Sequence, residues 1–480
     1  MKNFSRKAWL AVLLLGCLSA VAAAQSDATA WVINQVLFES RAYELLRELS
    51  DDIGGRLSTT AAAERAVGWA EEQFRRAGAS NFRREPFPML GWESEALLAE
   101  VTETRRPVQM LAYAATPSLE TAAAVIDLGE GTEQEFSRQA GKLNGKVLLV
   151  GSGQPPRNLE EYLAAYLAVP GIVERAKQER AAALLLVHFQ PGQVLYQSVA
   201  LSGRTTPVAA FRVTREDGLW LRRRIASGQP TTLRIRSINR IREAATSWNV
   251  VAEVPGTEKP EEIVLVGAHL DSIGPGAGTL DDGAGVAALL DLARILRQQP
   301  AKRTVRFALF MGEEEGLLGS FAYVRQHRDE LDLIVAMVQM DTGAGRVVAY
   351  ENTGRPDVAA RLEKLVAKFG PLGPREVRQG QSWYSDHGPF VLVGVPAFFL
   401  MQETSEYEGY IHTQADTFDK VNPDDYRAAQ AVLAATVVEI ANLPERFARR
   451  WSKQEMRDLL ERTGEVKVLR ELGISPGPLD

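Results

Sequence analysis

The sequence predicts an α/β fold of three layers, with helices on both faces of a mostly parallel central sheet, plus a smaller inserted α+β domain. After residue 245, short strands rich in Val, Ile and Phe alternate with helical patterns, and this alternation is typical of parallel sheets. Residues 107–240 carry Gly and Pro punctuation between shorter apolar runs. This change of pattern favours a separate unit inserted into the main one.

The individual elements follow from periodicity. Amphipathic patterns predict helices over 35–50 and 61–77, the second closed by Gly78. Within the insert, AAALLLVHF and TTLRIRS predict strands, and REDGLWLRRRIASG predicts a helix. Beyond it, the predicted strands are WNVVAEV, EEIVLVGAHL, RTVRFALFMG, LDLIVAMVQMD and VPAFFLM. The helical patterns among and after them cover 284–298, 318–328, 357–369 and 423–445.

The first 24 residues have the features of a secretory signal peptide: a positive start, an apolar stretch over 8–18, and small residues before Gln25. Lipid attachment at Cys17 is the less favoured alternative, because Leu15 is bulky for that motif. We therefore expect export to the periplasm or the extracellular space. The expected organisation is a signal peptide (1–24), an amino-terminal part of the main domain (25–106), the insert (107–240), the catalytic core (241–450) and a carboxy-terminal tail (451–480).

Charge and cysteine content exclude several classes of function. The net charge is −6, and removing the three positive residues of the signal peptide, which has no acids, makes it −9. An acidic protein is a poor partner for nucleic acid or anionic membranes. Cys17 is the only cysteine, so the mature chain has no thiolate ligand or cysteine nucleophile. No later run of 18 apolar residues predicts a transmembrane segment in the mature chain.

Several metal-binding residue types follow predicted strands. His269, Glu313 to Glu315 and Asp341 each follow a strand, and His412 lies in a later loop. Alone, each has an ordinary structural interpretation as a hydrogen-bonded residue, a helix cap or a solvated face. Because open α/β sheets form their ligand crevice at the carboxyl ends of strands, we expect these residues to meet there. Buried carboxylates are costly unless paired or metal-bound, and this ligand set suits zinc, or less well manganese or cobalt.

Six motifs occur in a characteristic order: HLDS at 269–272, DDGAG at 281–285, EEEGLLGS at 313–320, QMD at 339–341, SDH at 385–387 and IHTQADT at 411–417. In this order they resemble the zinc-dependent exopeptidases, a family that includes bacterial aminopeptidases and plasma glutamate carboxypeptidase (carboxypeptidase Q). The resemblance covers most of the mature chain, and the middle segment is similar to the family's protease-associated insert. It implies a zinc exopeptidase fold and two Zn²⁺ per chain.

The resemblance also implies a role for each site residue. One zinc is expected on His269 and Asp341 and the other on Glu314 and His412, with Asp281 bridging the two. In addition, the resemblance implies a cis peptide bond after Asp281.

The second set of expected roles concerns proton transfer and support. The resemblance makes Glu313 the general base and Glu315 a spacer, although the three consecutive glutamates leave the register open by one residue. Asp271, two residues after His269, is expected to fix the orientation of that imidazole with its carboxylate. Asp416 is a candidate to support His412 or to form a turn, and Tyr384 is a candidate oxyanion or substrate residue.

These expectations predict a secreted dinuclear zinc exopeptidase, an enzyme that hydrolyses terminal peptide bonds of short peptides as an aminopeptidase or dipeptidase. The alternatives are a non-catalytic binding protein and a glutaminyl cyclase-type acyltransferase on the same fold. The insert is expected to shape the entrance rather than supply ligands, and its only histidine, His188, to be a packed strand residue. The sequence leaves open aminopeptidase versus carboxypeptidase action, side-chain preference, physiological substrate and oligomeric state.

Overall fold

The computed structural model describes residues 28–157, 159–199, 204–380, 385–405 and 407–471. The predicted signal peptide and Cys17 lie outside this range. The described strands are β1 (Ser80–Val101), β2 (Arg106–Pro107), β3 (Met110–Ala112), β4 (Leu119–Asp127), β5 (Val147–Val150), β6 (Ala183–Val187), β7 (Ala210–Val213), β8 (Thr232–Val254), β9 (Lys259–His269), β10 (Arg303–Phe310), β11 (Ile334–Gln339), β12 (Val347–Asn352), β13 (Glu376–Gln379) and β14 (Ala397–Gln402).

Helices separate many of these strands. The described helices are α1 (28–39), α2 (Ala42–Arg47), α3 (Ala61–Arg76), α4 (Glu133–Arg138), α5 (Leu159–Gln178), α6 (Arg215–Ala226), α7 (Ala284–Gln298), α8 (Leu318–Gln326), α9 (Pro356–Phe369), α10 (His387–Leu392), α11 (Tyr407–Tyr410), α12 (Pro423–Asn442), α13 (Lys453–Thr463) and α14 (Glu465–Glu471). None of these helices is both long and apolar enough to cross a membrane.

The predicted α/β fold with a mostly parallel central sheet is confirmed. Strand β9 lies parallel to both β10 and β11, and β11 lies parallel to β14. Strands β8 and β12 flank this parallel group in the antiparallel sense. Because the parallel strands end at one edge, the segments that follow β9, β10 and β11 meet there.

Alternating side chains of β9 explain the three layers. Val264, Val266 and Ala268 belong to one buried apolar cluster, whereas Ile263 and Leu265 belong to another. Successive side chains of a strand point to opposite faces, so each cluster covers one face of the sheet. The first cluster includes buried residues of α3, α7, α9 and α12, and the second includes buried residues of α8, α10 and α13.

A long antiparallel ribbon joins the two parts of the sheet. Strand β1 pairs with β8 over almost the whole length of both. On the other side of β8, residues Val250–Val254 pair with β10 and residues 232–237 pair with β4. The smaller sheet continues from β4 through the parallel strands β5, β6 and β7. The ribbon therefore connects residues of the predicted insert directly to the sheet that carries the site.

Several sequence-predicted boundaries were wrong for identifiable reasons. TTLRIRS and WNVVAEV form one strand, β8, rather than two. The helix predicted over 35–50 is divided at Ser40, whose hydroxyl accepts a hydrogen bond from the Ala42 N–H. The helix predicted over 423–445 ends at Asn442, because Leu443 precedes Pro444 and a residue before proline disfavours the helical conformation.

Candidate metal centre

His269 is the last residue of β9 and is completely buried. Its Nε2 lies 3.0 Å from Asp281 Oδ1 and 3.3 Å from Asp341 Oδ1. Asp341 lies two residues after the end of β11. Because β9 and β11 pair in parallel, the side chains of His269 and Asp341 meet at the same edge of the sheet. Burial opposes protonation of His269, but Asp341 and the neighbouring carboxylates raise its pKa well above the ordinary value.

The second half of the site lies on the other side of Asp281. His412 Nε2 is 3.1 Å from Asp281 Oδ2 and 3.1 Å from Glu314 Oε2. The two oxygens of Asp281 therefore face two different histidines. This geometry is what a carboxylate needs in order to join two cations, each with one histidine and one further carboxylate.

The loop that carries Asp281 turns sharply between β9 and α7. The Asp281–Asp282 peptide bond is cis, as the resemblance implied. Gly278 starts this turn in the left-handed region at φ +60°, and a Cβ there would lie 2.2 Å from the Cβ of Ser272. A glycine is therefore needed for the loop to approach the HLDS segment, and this close approach presents Asp281 between the histidines.

The donor set fits divalent metal ions. Asp341 accepts a hydrogen bond from Ser385 through Oδ2 at 2.6 Å, whereas its buried Oδ1 has no hydrogen-bond partner. Burial raises the pKa of Asp341 and of Glu314. An orphaned carboxylate oxygen is costly in a buried site, and a cation removes that cost. Nitrogen and carboxylate ligands without sulfur suit zinc.

Asp282 is a less suitable ligand than Asp281, although its carboxylate also lies within reach of His269 and Asp341. Its Oδ2 accepts the His269 N–H at 3.2 Å and its Oδ1 accepts the Gly285 N–H at 3.0 Å. Asp282 thus already ties the end of β9 to the start of α7. Of the two aspartates, only Asp281 has both carboxylate oxygens next to histidine Nε2 atoms.

Asp271 connects two of the loops. Its carboxylate accepts the backbone N–H of Glu313 at 3.4 Å and that of Glu314 at 3.3 Å. The His269 Nδ1 atom lies 3.1 Å from the Asp271 backbone carbonyl and 3.6 Å from its carboxylate. The carbonyl is therefore the nearer partner of Nδ1, while the carboxylate faces the same imidazole and also positions the glutamate loop.

Asp416 supports the bridging loop instead of the histidine beside it in sequence. Its Oδ1 accepts the N–H groups of Thr279 and Leu280 at 3.0 and 2.8 Å. Burial raises the pKa of Asp416 to about 7. Asp416 was predicted either to support His412 or to form a turn. These two hydrogen bonds go to the loop that carries Asp281 and not to His412.

The three consecutive glutamates point to different surroundings. Glu314 lies beside His412, as described above, and also accepts the Ile273 N–H at 3.1 Å. Glu313 lines the open crevice together with Asp281 and Asp341. Glu315 faces away and accepts a hydrogen bond from Ser58 at 3.1 Å. Of the three, Glu314 is the one beside His412, and the roles expected for them stay a prediction.

Sequence reasoning did not single out Tyr407, which the fold places beside the carboxylates. Tyr384, the predicted candidate, lies outside the described residues. Burial, followed by the charges of Asp281 and Asp341, raises the pKa of the Tyr407 phenol well above its ordinary value. Its ring packs on Gly343, where a Cβ would lie 3.2 Å from it. The available signal was the tyrosine's position one helical turn before the IHTQADT loop.

The segment predicted as an insert also reaches the site. The Tyr196 hydroxyl lies 3.0 Å from His412 Nδ1, and the Tyr196 ring stacks on His188 with centroids 4.5 Å apart. His188 is buried just after β6, and burial lowers its pKa to about 4. His188 is packed as expected, but the prediction that the insert only shapes the entrance omitted the contact from Tyr196.

The sequence matches a known peptidase family over the segment that holds this site. Residues 249–437 match the description Peptidase family M28. The segment that holds the site is therefore similar to peptidase family M28. The predicted family and the predicted class of enzyme, a zinc metallopeptidase, are both confirmed by this match and by the similar proteins described next.

Similar proteins extend beyond the M28 domain. Carboxypeptidase Q of Homo sapiens is 26% identical over 447 residues, covering 88% of this chain and 90% of its own. Aminopeptidase YwaD of Bacillus subtilis is 26% identical over 416 residues, covering 83% of this chain and 84% of its own. These relatives include both a carboxypeptidase and an aminopeptidase, which supports a metallo-exopeptidase.

Solved structures show the same fold. A peptidase M28 precursor from Shewanella amazonensis superposes with a TM-score of 0.80 at 24% identity, covering 89% of this chain and 99% of its own. The zinc aminopeptidase BSAP from Bacillus subtilis superposes with a TM-score of 0.68 at 21% identity, covering 85% and 97%. Both likenesses therefore include elements that precede the matched segment.

Proposed function

We propose that this M28 protein is a dinuclear zinc exopeptidase acting on short peptides. The observation that carries the proposal is the position of Asp281, whose two carboxylate oxygens each lie about one hydrogen-bond length from the Nε2 of a different histidine. His269 and Asp341 would hold one ion, Glu314 and His412 the other, and Asp281 both. All five ligands are present, which disfavours a non-catalytic binding protein, and a bridging carboxylate disfavours the single-metal acyltransferase alternative.

Zinc in such a site supplies Lewis acidity, which lowers the pKa of water and polarises a carbonyl group. Glu313 supplies the proton transfer. It takes a proton from the attacking water as the water oxygen bonds to the scissile carbonyl carbon, and delivers it to the amine nitrogen as the C–N bond breaks. Burial raises the pKa of Glu313, and a more basic carboxylate is a better proton acceptor.

The Tyr407 hydroxyl is the proposed donor to the oxyanion. Its raised pKa keeps the phenol protonated at neutral pH, and it lines the same crevice as Glu313 and Asp341. A neutral O–H group stabilises negative charge that develops on the carbonyl oxygen, and such donors are effective where water is excluded.

Arg212 favours substrates with a free carboxylate near the scissile bond. It lines the crevice, packs over the Tyr196 ring at 5.7 Å, and donates to Ser198 and to the Tyr113 hydroxyl at 3.1 and 3.2 Å. Within the described part of the chain, no carboxylate pairs with it. A guanidinium held in place by neutral groups matches a carboxylate ligand, so we propose dipeptidase activity.

We further propose that the protein is exported after removal of residues 1–24, and that residues 107–240 form a protease-associated-like domain. The first proposal rests on the composition of the amino terminus. The second rests on the smaller sheet of β3 to β7, which continues the ribbon of β1 and β8.

Hydrolysis of free dipeptides, dipeptide amides and aminoacyl reporters, with zinc content measured on the same sample, tests the proposed function. We expect two zinc ions per chain and about 10- to 100-fold faster hydrolysis of free dipeptides than of their amides, the effect of one hydrogen bond to a charged group. The Arg212→Met variant should lose that preference. Arg215→Met is the matched control, because Arg215 bonds the Gly153 carbonyl instead.

Distinct outcomes separate the parts of the proposal. Saturation at one zinc, with Asp281→Ala having no effect on metal content, would remove the bridged site. Equal rates on free dipeptides and amides would remove the dipeptidase assignment and leave an aminopeptidase. A loaded protein that cleaves none of these substrates would contradict exopeptidase activity.

A further inference from the structure

The two histidines of the centre are supported in different ways. His269 Nδ1 lies 3.1 Å from the carbonyl of Asp271, two residues further along the same loop. His412 Nδ1 lies 3.0 Å from the hydroxyl of Tyr196, which is 216 residues away in sequence. The second imidazole therefore depends on a side chain from a separate part of the fold.

The backbone of His412 also needs external support. Its φ is +58°, in the left-handed region that non-glycine residues rarely adopt. The His412 carbonyl accepts the Gln197 N–H at 2.9 Å, and a Cβ on Gly274 would lie 2.8 Å from that carbonyl oxygen. The histidine is thus held between the HLDS loop on one side and the 195–197 segment on the other.

Tyr196 is itself held firmly. Its ring stacks on His188, with planes 20° apart, and the guanidinium of Arg212 lies over it. A bridge between Tyr196 and Thr413 joins the two backbones. The phenol oxygen is therefore fixed with respect to the imidazole, a condition for selecting one tautomer.

We propose that Tyr196 is a positioning residue for the metal site of His412 and Glu314, so that binding of the second metal depends on the insert. The proposal rests on the dinuclear site proposed above. A phenol oxygen that accepts a hydrogen bond from Nδ1–H leaves the Nε2 lone pair free to bind a metal. Removing a group that orients a metal-binding histidine typically weakens metal binding about 10- to 100-fold.

Stepwise titration of the metal-free full chain with Zn²⁺ against a competing chelator tests this assignment. Wild type should bind two ions, and Glu314→Ala should identify the step that belongs to the His412 site. Tyr196→Phe keeps the ring, the His188 stack and the backbone bridge but removes the hydroxyl. We expect it to weaken that step about 10- to 100-fold and to leave the other step within about twofold.

Tyr410→Phe is the matched control. It removes a phenol hydroxyl at the end of α11, two residues before His412, and among the described residues no hydrogen bond joins that hydroxyl to a ligand histidine. It should leave both steps unchanged. The positioning role is wrong if Tyr196→Phe binds both ions as the wild type and the control do, or if it weakens both steps equally. Wild type that binds a single ion would instead overturn the dinuclear site, which is a separate result. Equal thermal melting of the metal-free forms would show that the fold is intact.

Discussion

Asp281 determines what the site can do, because its two oxygens face two imidazoles that do not contact each other. Without a cation, the surrounding carboxylates are costly: burial raises the pKa of Glu314 and Asp341. The histidines on either side instead lower the pKa of Asp281 against the effect of burial. The acid whose pKa the two histidines lower thus lies between the two candidate metal positions.

Glu313, Glu314 and Glu315 are adjacent in sequence but differ in surroundings, so their substitutions should differ in effect. Glu313→Gln should keep both zinc ions and lose about 10²- to 10⁴-fold in kcat, the usual contribution of proton transfer. Glu314→Ala should lose zinc at one site. Glu315→Ala should keep zinc and most of the activity, because its carboxylate contacts Ser58 outside the crevice.

Zinc content and kcat of the three variants, measured side by side, check this prediction. If Glu315→Ala loses zinc while Glu314→Ala keeps it and loses turnover, the register through EEE is shifted by one residue. Unchanged turnover in all three variants would contradict the peptidase mechanism.

The residues that the sequence singled out as ligands were recognisable because each belongs to one of the six ordered motifs, and those of His269, Glu314 and Asp341 follow strands. Tyr407 and Tyr196 belong to no such motif. Tyr196 reaches His412 because residues 196 and 197 lie against the backbone of residues 412 and 413, which periodicity and spacing do not reveal. The structure shows that the five side chains lie close together, which supports their roles as metal ligands. The roles themselves stay a prediction.

At the scale of the element, the centre lies on strand ends and the loops after them, and one side chain from the segment before α3 holds one of these loops. Arg56 is completely buried. Its guanidinium donates to the carbonyls of Leu270, Ala277 and Gly278, and its N–H donates to Ser272. These contacts hold the segment between the first ligand histidine and the bridging aspartate.

Replacing Arg56 by Met should therefore loosen that loop as well as destabilise the fold. Loss of a buried charged residue that makes several hydrogen bonds typically lowers the free energy of unfolding by about 3–5 kcal/mol. Urea unfolding of the metal-free chain measures this change, and zinc titration should show weaker binding. Arg242→Met, which removes a more exposed arginine bonded to Thr59, should change stability by less than about 1 kcal/mol. Equal stability of the two variants would contradict the role of Arg56.

Elements with strong local signals were predictable, and those that depend on long-range pairing were not. The helix over 284–298 was predicted with its observed bounds, because its apolar face is continuous and a glycine-rich turn precedes it. The ribbon of β1 and β8 was missed. Buried and exposed residues alternate only weakly along β1. The length of β1 therefore follows from its pairing with β8 and not from its own sequence pattern.

At the scale of the whole molecule, buried acids make stability depend on pH and on metal. Burial raises the pKa of Asp386 to about 8 and that of Asp416 to about 7, whereas both titrate near 4 when unfolded. Between about pH 4 and 8 the folded chain therefore holds protons that the unfolded chain has lost. The metal-free protein should lose stability as pH rises through this window. The raised pKa values of His269 and His412 act in the same direction, as do those of the buried acids Asp282, Glu313 and Glu315. The lowered pKa values of His188 and His387 oppose this effect below about pH 6.5 but involve fewer groups, and the lowered pKa of Asp281 acts below the window.

Metal binding should have the opposite pH dependence, because ligands bind only when deprotonated. We therefore expect the difference in melting temperature between zinc-loaded and chelator-treated protein to be small at pH 5 and to grow by pH 8. With free zinc at a hundred times its Kd, one site contributes about 2.7 kcal/mol. Thermal melting at pH 5, 6.5 and 8, with and without chelator, measures this. Asp386→Asn should flatten the slope of the metal-free chain, since it removes the acid with the pKa of about 8 without removing a proposed ligand. If the chelated wild type is instead more stable at pH 8 than at pH 5, the buried acids are not protonated in the folded chain, and the electrostatic argument for metal at this site fails.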